Sequence, residues 1–569
     1  MSQKQNSQTH QSATPALPPR RIVNADKELW NKSADVVVVG WGAAGAAAAL
    51  QAREDGASVI VLERFAGGGA SRLSGGVIYA GGGTAYQREA GFEDSVEGMY
   101  TYLQKETNKV VSDATLRRFC EQSVNNLQWL EKQGVRFQAS FMKEKSSYPS
   151  KKKFLYYSGN EAVPAYIDPR FKPAPRGHRS YGEGLSGAAM MDALESATQS
   201  AGAQVLTQTN VRRLIIDEHK RVVGVECYQL PAEHALTKRH ADLSLKIAKW
   251  RQFLPNKAQA MRNEQAKIEQ SLIDDGTIKP TLIRARKGVV LATGGFVFNL
   301  EMLEEYAPHY TDSFLLGAAG CDGSGMRLGA TVGGASGHMS TMSGWRVISP
   351  PVCWQRGIVV NSQGARFCNE QVYGATLGHE LMEKQGGKAY LIIDKNLRRQ
   401  AMKECMVGGW WYFQWLPALI SMFAAKRAKT LAELARKIGA DATSLTQSMQ
   451  AYNAAIGQPA ADALHPSDPL GKAADMCQAL DQAPYYAIDI SVTSPYLPMA
   501  SITLGGLQVN EETGQVKNRE GLSIDGLYAA GRTAVGIASS RYMSGLSLAD
   551  CIFSGRRAAQ HAAQIKVKP

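Results

Sequence analysis

The sequence predicts an α/β fold organised around a Rossmann-like dinucleotide-binding unit, and three observations predict it. An apolar run, Val36–Val39, leads directly into the glycine pattern Gly40-x-Gly42-x-x-Gly45. An Ala-rich stretch of helical character follows, and then a second apolar run, Ser58–Leu62. An acid, Glu63, closes that second run. A continuous apolar strand is what a parallel sheet covered on both faces requires. The glycines permit a tight turn and a close approach of backbone to a pyrophosphate, whose charge rests on the next helix N-terminus, while the acid accepts a ribose hydroxyl. Ala43, Ala44 and Arg64 flank these positions and join the candidate set.

Two further glycine junctions and a loop extend the site. The segment Gly67–Thr84, GGGASRLSGGVIYAGGGT, is too rich in glycine for a helix; its Gly69, Ala70, Ser71, Ser74, Gly75 and Gly76 can bring backbone N–H groups to phosphates and a ring system. KGVVLATGGF, Lys287–Phe296, reads as a buried strand ending in Ala292, Thr293 and Gly294. GLYAAGRT, Gly526–Thr533, is a third strand–glycine junction and supplies Gly531 and Arg532. Phosphates need one such junction. Three converging on one ligand point to a cofactor as long as FAD.

Composition narrows the class. A chain of 569 residues predicts two or three domains. Apolar and glycine content exclude a disordered or fibrous chain. The formal net charge is +13, which suits an anionic partner or a lipid surface and says nothing about fold. The cysteines are scattered without a CxxC spacing, so no metal site is expected. The first residues, MSQKQNSQTHQSATPALPPRRIVN, lack the apolar core of a signal peptide although Arg20–Arg21 superficially matches a twin-arginine pair. Residues 1–30 therefore read as a disordered tail on a cytoplasmic protein with reduced thiols.

The order of GxGxxG with Glu63, GGAS…SGG, ATGGF, GCDGSG at Gly320–Gly325, LGGLQVN at Leu504–Asn510 and GLYAAG resembles that of the fumarate reductase/succinate dehydrogenase flavoprotein superfamily. The resemblance runs from about Ala34 to Ala559 and implies a two-part Rossmann-like FAD-binding domain with an inserted α+β cap domain. The expected boundaries are 31–340 for the first FAD part, 341–482 for the cap and 483–569 for the second FAD part. It also implies that Val211 and Asp322 lie along the cofactor. Members that reduce fumarate clamp a dicarboxylate with cations. At the matching positions this chain offers Tyr373 after ARFCNEQVYG, Thr503 before LGGL and Tyr542 in RYMSGL.

Neutral hydroxyls thus stand where the reductases carry charge. The set Tyr373, Tyr542 and Ser544 resembles that of the 3-ketosteroid dehydrogenases. YxSGLS together with GGxSxxSGGxIYxGGGT is most similar to the 3-oxo-5α-steroid 4-dehydrogenases. That resemblance implies removal of a proton α to a ketone, hydride transfer to the flavin, Tyr542 at the ketone end and a relay through Ser544 and Tyr373. The helix start at Leu546 and Ser547 would hold the flavin's pyrimidine edge. The alternatives are a 3-ketosteroid 1-dehydrogenase, a reductase of fumarate or another acid relying on Arg541 and Arg346, and a flavin protein that docks without turnover.

Two segments stand outside this frame. Leu230–Ile278 separates two strands the superfamily joins by a short turn, and its spacing predicts a surface helical hairpin broken near Pro255. Val407–Lys429, VGGWWYFQWLPALISMFAAKRAK, is interrupted by Gln414 and Pro417 and is too short to span a membrane. It reads as cap core, or as an aromatic patch around Trp410 and Trp411 resting on the inner face of a membrane. An apolar 3-ketosteroid and an external electron acceptor (quinone, flavoprotein or oxygen) are the expected partners, and nucleic acid is not among them.

Overall fold

The computed structural model describes residues 14–250, 254–459, 462, 464 and 466–566. A mixed sheet organises the first body. Its strands lie in the order Arg20–Arg21, Thr209–Ile216, Val222–Gln229, Thr281–Leu291, Lys32–Val39, Val59–Leu62 and Gln204–Leu206. Thr281–Leu291 changes partners along its length. Its first half pairs antiparallel with Val222–Gln229, and after a register shift between Ala285 and Gly288 it runs parallel to Ser523–Ala529. Val36–Val39 is thereby flanked by parallel neighbours on both sides, which is why that run is apolar at every position.

The helix Ala43–Glu54 buries its alanines against the sheet and against Leu546–Gln564. A Cβ on Gly555 would lie 2.5 Å from the Ala44 carbonyl oxygen, so these helices meet backbone to backbone. This contact sets the last helix, whose start carries Tyr542 and Ser544 just ahead of it, beside the glycine turn.

The inserted body has its own antiparallel sheet, Ile358–Asn361, Ala389–Ile393, Tyr485–Asp489 and Lys426–Ala428, packed under helices that include Gly374–Lys384, Lys395–Val407 and Tyr412–Ala424. Both expected boundaries need correction. Met342–Trp345 pairs with Ala500–Thr503 in a connecting sheet, whereas Tyr485–Asp489, placed past residue 482, is a central strand of the cap. The connecting strands share no glycine or apolar signature that separates them from either body.

The N-terminal expectation is also corrected. Residues 1–13 lie outside the described residues, but 14–30 are tied to the body at several points. Thr14 donates through its N–H and its hydroxyl to Asp322, Leu17 bonds the Arg212 carbonyl, and Arg20–Arg21 pairs parallel with Ile215–Ile216. Ile22 is buried with Ile215, Val223 and Leu282. A Pro-rich composition gave no sign of this edge strand.

Leu230–Ile278 forms the expected hairpin, from Ala235–Trp250 and Pro255–Asp274, with Leu243, Ile268 and Leu272 in its core. In the cap, Trp410 is buried with Tyr148 and Tyr156 and Trp411 half-buried, so the expected Trp410–Trp411 patch is not the exposed surface. The exposed apolar side chains nearby are Met406, Val407, Tyr412, Leu416, Ile420 and Phe423. Among the described residues no helix is long and apolar enough to cross a membrane.

Candidate active site

A cavity of about 400 Å3 opens at the glycine turn. Gly40, Gly42, Ala43, Ala44, Glu63, Arg64, Gly69, Ala70, Ser71, Val211, Ala292, Thr293, Gly294 and Arg532 all line it. The three glycines of the motif do different jobs. Gly40 has φ +98°, and a Cβ there would sit 2.6 Å from the Ala292 carbonyl oxygen. A Cβ on Gly45 would sit 1.9 Å from the Gly40 carbonyl oxygen. Gly42 is different: its φ is −85°, and the nearest protein atom to an added Cβ is Ser71 Oγ at 3.6 Å. The protein alone does not require glycine at 42. A ligand lying close to the backbone does.

Ser71 Oγ accepts from the Ala43 N–H at 3.1 Å and so ties the glycine loop to the helix start. Glu63 accepts from the Trp41 and Phe65 N–H groups, each at 2.8 Å. Burial raises its pKa and those two bonds oppose the rise. Other expected residues shape the cradle from behind. Gly45 packs on Gly40, Gly531 on Ala44, Gly75 accepts from Tyr148 and Ser186, Gly76 abuts Ser180, and Leu546 is core. Asp322 is buried and bonded to Thr14 and Arg64, which removes it from the cavity wall.

A second cavity, of about 110 Å3, shares Ala70, Ser71, Leu73, Gly317, Arg532 and Cys551 with the first. Leu73, Leu316, Trp345, Ala500, Ile502 and Leu548 make it apolar, and Ser74, Ser343, Tyr542 and Ser547 add hydroxyls. Arg532 is the one charged residue in its described wall. Gly545, at φ +90° and with its Cα against Val77–Tyr79, turns the chain from Tyr542 and Ser544 into the last helix. The Ser544 N–H donates to the Ser158 carbonyl at 3.1 Å, and Ser544 Oγ accepts from the Tyr156 hydroxyl at 2.9 Å.

Tyr373 reaches this hydroxyl cluster from the cap. Its N–H donates to Asn160 Oδ1 at 2.6 Å, and its ring stands 6.1 Å from that of Trp345. The following helix lies hard against the connecting strand, since a Cβ on Gly378 would fall 1.7 Å from the Gly344 carbonyl oxygen. The RFCNE segment just before is held by a buried ion cluster. Glu370 meets Arg366 at 2.8 Å and Lys472 at 2.7 Å, and Arg366 also meets Asp468 at 2.5 Å. The Tyr373 hydroxyl is buried and finds no hydrogen-bond partner among the described residues. A buried donor left unmade costs about 1–3 kcal/mol, so the position suits a ligand acceptor.

Burial lifts the pKa of Tyr373 and Tyr156 well above the ordinary tyrosine value, and the hydrogen bond to Ser544 opposes the rise at Tyr156. Burial also raises Tyr542, against the opposing charge of Arg532. All three are neutral donors near pH 7. Tyr156 was missed by sequence reasoning, because FLYYSGN carries no motif and only the fold brings it to Ser544. The cations proposed for a dicarboxylate are elsewhere. Arg346 is buried and donates to the carbonyls of Ile490, Ser491 and Leu497 at 2.9, 3.2 and 2.7 Å. Of the hydroxyl residues, Tyr542 lines the second cavity, whereas Ser544, Tyr156 and Tyr373 stand behind its wall, and Arg541 lines neither cavity. Thr503 Oγ1 accepts from the Phe296 N–H at 3.1 Å.

The sequence matches the FAD binding domain family over residues 35–548. The chain belongs to this FAD-binding family. It is 47% identical over 518 residues to the 3-oxo-5-alpha-steroid 4-dehydrogenase of Comamonas testosteroni, spanning 90% of this chain and 94% of that relative. It is 24% identical over 558 residues to a fumarate reductase (cytochrome) of Shewanella frigidimarina, spanning 94% of this chain and 78% of that one. Its fold is similar to the crystal structure of 3-ketosteroid-delta4-(5alpha)-dehydrogenase from Rhodococcus jostii RHA1 in complex with 4-androstene-3,17-dione, with a TM-score of 0.78, 29% identity and coverage of 96% and 100%. The cradle at Gly42 and the loop bonded to it through Ser71 fit the pyrophosphate of FAD.

Proposed function

We propose that this flavoprotein dehydrogenates a 3-ketosteroid, introducing the C4–C5 double bond of a 5α-3-oxosteroid. The observation that carries the proposal is the composition of the second cavity: apolar walls, a cluster of neutral hydroxyls and a single cation. A dicarboxylate calls for paired cationic donors at both ends. A steroid ketone calls for apolar surface and a few hydrogen-bond donors. The 47% identity to a protein bearing that activity's name supports the same choice.

In this scheme the ketone oxygen accepts hydrogen bonds from the hydroxyl cluster. Donors aimed at that oxygen stabilise the enolate charge that develops as the C4 proton leaves. Tyr542, in the cavity wall, takes that proton as its own hydroxyl proton leaves by way of Ser544 and Tyr373 to solvent, with Tyr156 orienting Ser544 through its hydrogen bond. Arg532 favours the anionic side of this exchange at Tyr542. FAD, when bound, supplies the acceptor for the C5 hydride. Gly42, Ala43, Glu63, Ser71 and Thr293 would hold it along the first cavity, and Ser547 at the start of the last helix would face its ring. Electrons then leave to an external quinone, flavoprotein or oxygen.

The protein docks peripherally at the inner face of a membrane through the helix Tyr412–Ala424. Tyr412, Leu416, Ile420 and Phe423 recur at helical spacing on its exposed side, Phe423 at 66% exposure. Arg398 lies 5.7 Å from the Phe423 ring and Lys151 lies 5.6 Å from that of Trp411, so cations border the ridge. That pairing of apolar ridge and basic rim suits an anionic lipid surface.

Anaerobic mixing of the yellow holoprotein with a 5α-3-ketosteroid tests the activity. The expected result is bleaching of the flavin and a 4-ene product. A 1-ene product would place it with the 1-dehydrogenases. Reoxidation of the reduced protein by fumarate, with no response to steroid, would refute the proposal.

A further inference from the structure

The hairpin Ala235–Trp250 and Pro255–Asp274 does not only decorate the surface. Ser244, Leu245 and Ile247 line the first cavity together with Glu63 and Val211. Glu63 marks the ribose end of a dinucleotide in this fold, and the second cavity marks the ring end. The hairpin therefore stands at the nucleotide end. Its side chains there are unevenly buried. Leu243 and Ile247 are each 3% exposed, but Leu245, between them, is 71% exposed and faces the cavity. An apolar side chain left to solvent on a cavity wall is a surface for a flat ring.

The same hairpin is fastened at the cofactor edge by a buried carboxylate. Glu269 accepts from Arg64 Nε at 2.7 Å, from Asn210 Nδ2 at 2.5 Å and from His240 Nε2 at 3.2 Å, with Arg212 at 3.7 Å. Arg64 continues to Asp322 at 3.1 Å. The His240 ring bonds Gln208 at 2.6 Å and stacks on Phe65 with centroids 5.4 Å apart and planes 8° from parallel. Burial alone would raise the Glu269 pKa, yet Arg64 and His240 hold it at about 2. Arg64 and Phe65, the two residues after the ribose acid, are thus both locked by the insertion. Arg64 serves as the receiver of this latch and is not free for the ligand.

We propose that the hairpin is a clamp on the adenosine half of FAD, with Leu245 as the contact surface and Glu269 as the latch that holds it in place. The chemistry it recognises is an adenine nucleotide. It leaves the reacting end untouched, so it governs cofactor retention and not the chemical step.

The test uses holoprotein and the apoprotein made from it. FAD dissociation is followed by fluorescence recovery, affinity by titration, and ADP is the probe for the adenosine half alone. Leu245→Asp changes a side chain the protein leaves exposed, so the apoprotein should melt as wild type does. It should release FAD roughly tenfold or more faster, as expected for loss of a buried leucine contact. ADP should raise the melting temperature of wild-type apoprotein and not of this variant. Glu269→Gln should also release FAD faster, with easier proteolysis within the hairpin. A Leu245→Asp protein that keeps the wild-type release rate and the wild-type response to ADP overturns the proposal, whatever Glu269→Gln does.

Discussion

Gly42 and Gly45 share one motif and should fail in opposite ways when each is changed to alanine. At Gly42 the backbone is ordinary for an L residue, and the added Cβ meets nothing nearer than 3.6 Å. The apoprotein should fold and be as stable as wild type or slightly more so, because alanine lowers the entropy of the unfolded chain by about 0.4–1 kcal/mol. The methyl group instead fills the space where the pyrophosphate approaches. An overpacking cost of about 1–3 kcal/mol corresponds to roughly a tenfold to hundredfold loss of FAD affinity. At Gly45 the Cβ would lie 1.9 Å from the Gly40 carbonyl oxygen. No rotamer relieves a Cβ clash, so Gly45→Ala should lower the melting temperature of the apoprotein itself. Differential scanning of the apoproteins and FAD titration by fluorescence separate the two effects. A Gly42→Ala protein that binds FAD with wild-type affinity would remove the pyrophosphate from this turn.

Two other changes probe the hydroxyl cluster and the membrane face. Tyr542→Phe should keep FAD yet slow flavin reduction by a 5α-3-ketosteroid by about a hundredfold to ten-thousandfold, the usual range for a general acid–base group. Its pH profile gives a second reading: because burial lifts Tyr542 above the ordinary value, the deprotonated form grows with pH, so the wild-type rate should climb into the alkaline range and the Phe variant should not. Tyr156→Phe and Ser544→Ala should each slow reduction, and together by less than the product of the two, since they share one hydrogen bond; independent effects would break the relay. Ile420→Ser with Phe423→Ser should reduce sedimentation with anionic vesicles and leave flavin reduction unchanged, and a wild type that never sediments would dismiss the membrane contact.

The turn at Gly40–Gly45 was legible because its chemistry is local. Strand, glycines, helix and acid lie within some thirty residues, and each needs only its own backbone conformation and its neighbours. The turn that carries Tyr542 and Ser544 was legible for the same reason, since it sits just before a long helix. Tyr156 was not. It lies far from Ser544 in sequence, and its hydrogen bond to Ser544 exists only because Leu155–Tyr156 pairs with Gly177–Arg179 beside Val77–Tyr79, against which Gly545 packs. Arg64 was legible as a position and not as a function, since its partner Glu269 comes from an insertion read as surface. The edge strand Arg20–Arg21 was hidden by its proline-rich setting. Trp410 and Trp411 misled because aromatic content does not say which side of a helix faces solvent.

The arginines explain how one scaffold can serve two substrate chemistries. Arg346 is one of the cations a dicarboxylate site would have to use, and Arg366 opens the RFCNE segment just ahead of Tyr373. Each is spent on structure. Arg346 satisfies three backbone carbonyls, and Arg366 neutralises Glu370 and Asp468 beneath the loop that ends in Tyr373. Arg366 cannot turn toward a ligand without weakening buried ion pairs, a cost of about 3–5 kcal/mol, and Arg346 cannot without orphaning buried carbonyls. Their charge therefore sets the loop and not the ligand. What the loop then presents is Tyr373, whose buried hydroxyl has no partner among the described residues. The positive charge that does reach the wall, Arg532, lies on the side shared with the first cavity, where anionic FAD phosphates and a reduced ring offer it partners. A site arranged like this rewards a ligand with one weak acceptor and a large apolar surface, and it offers a second carboxylate nothing to replace its water.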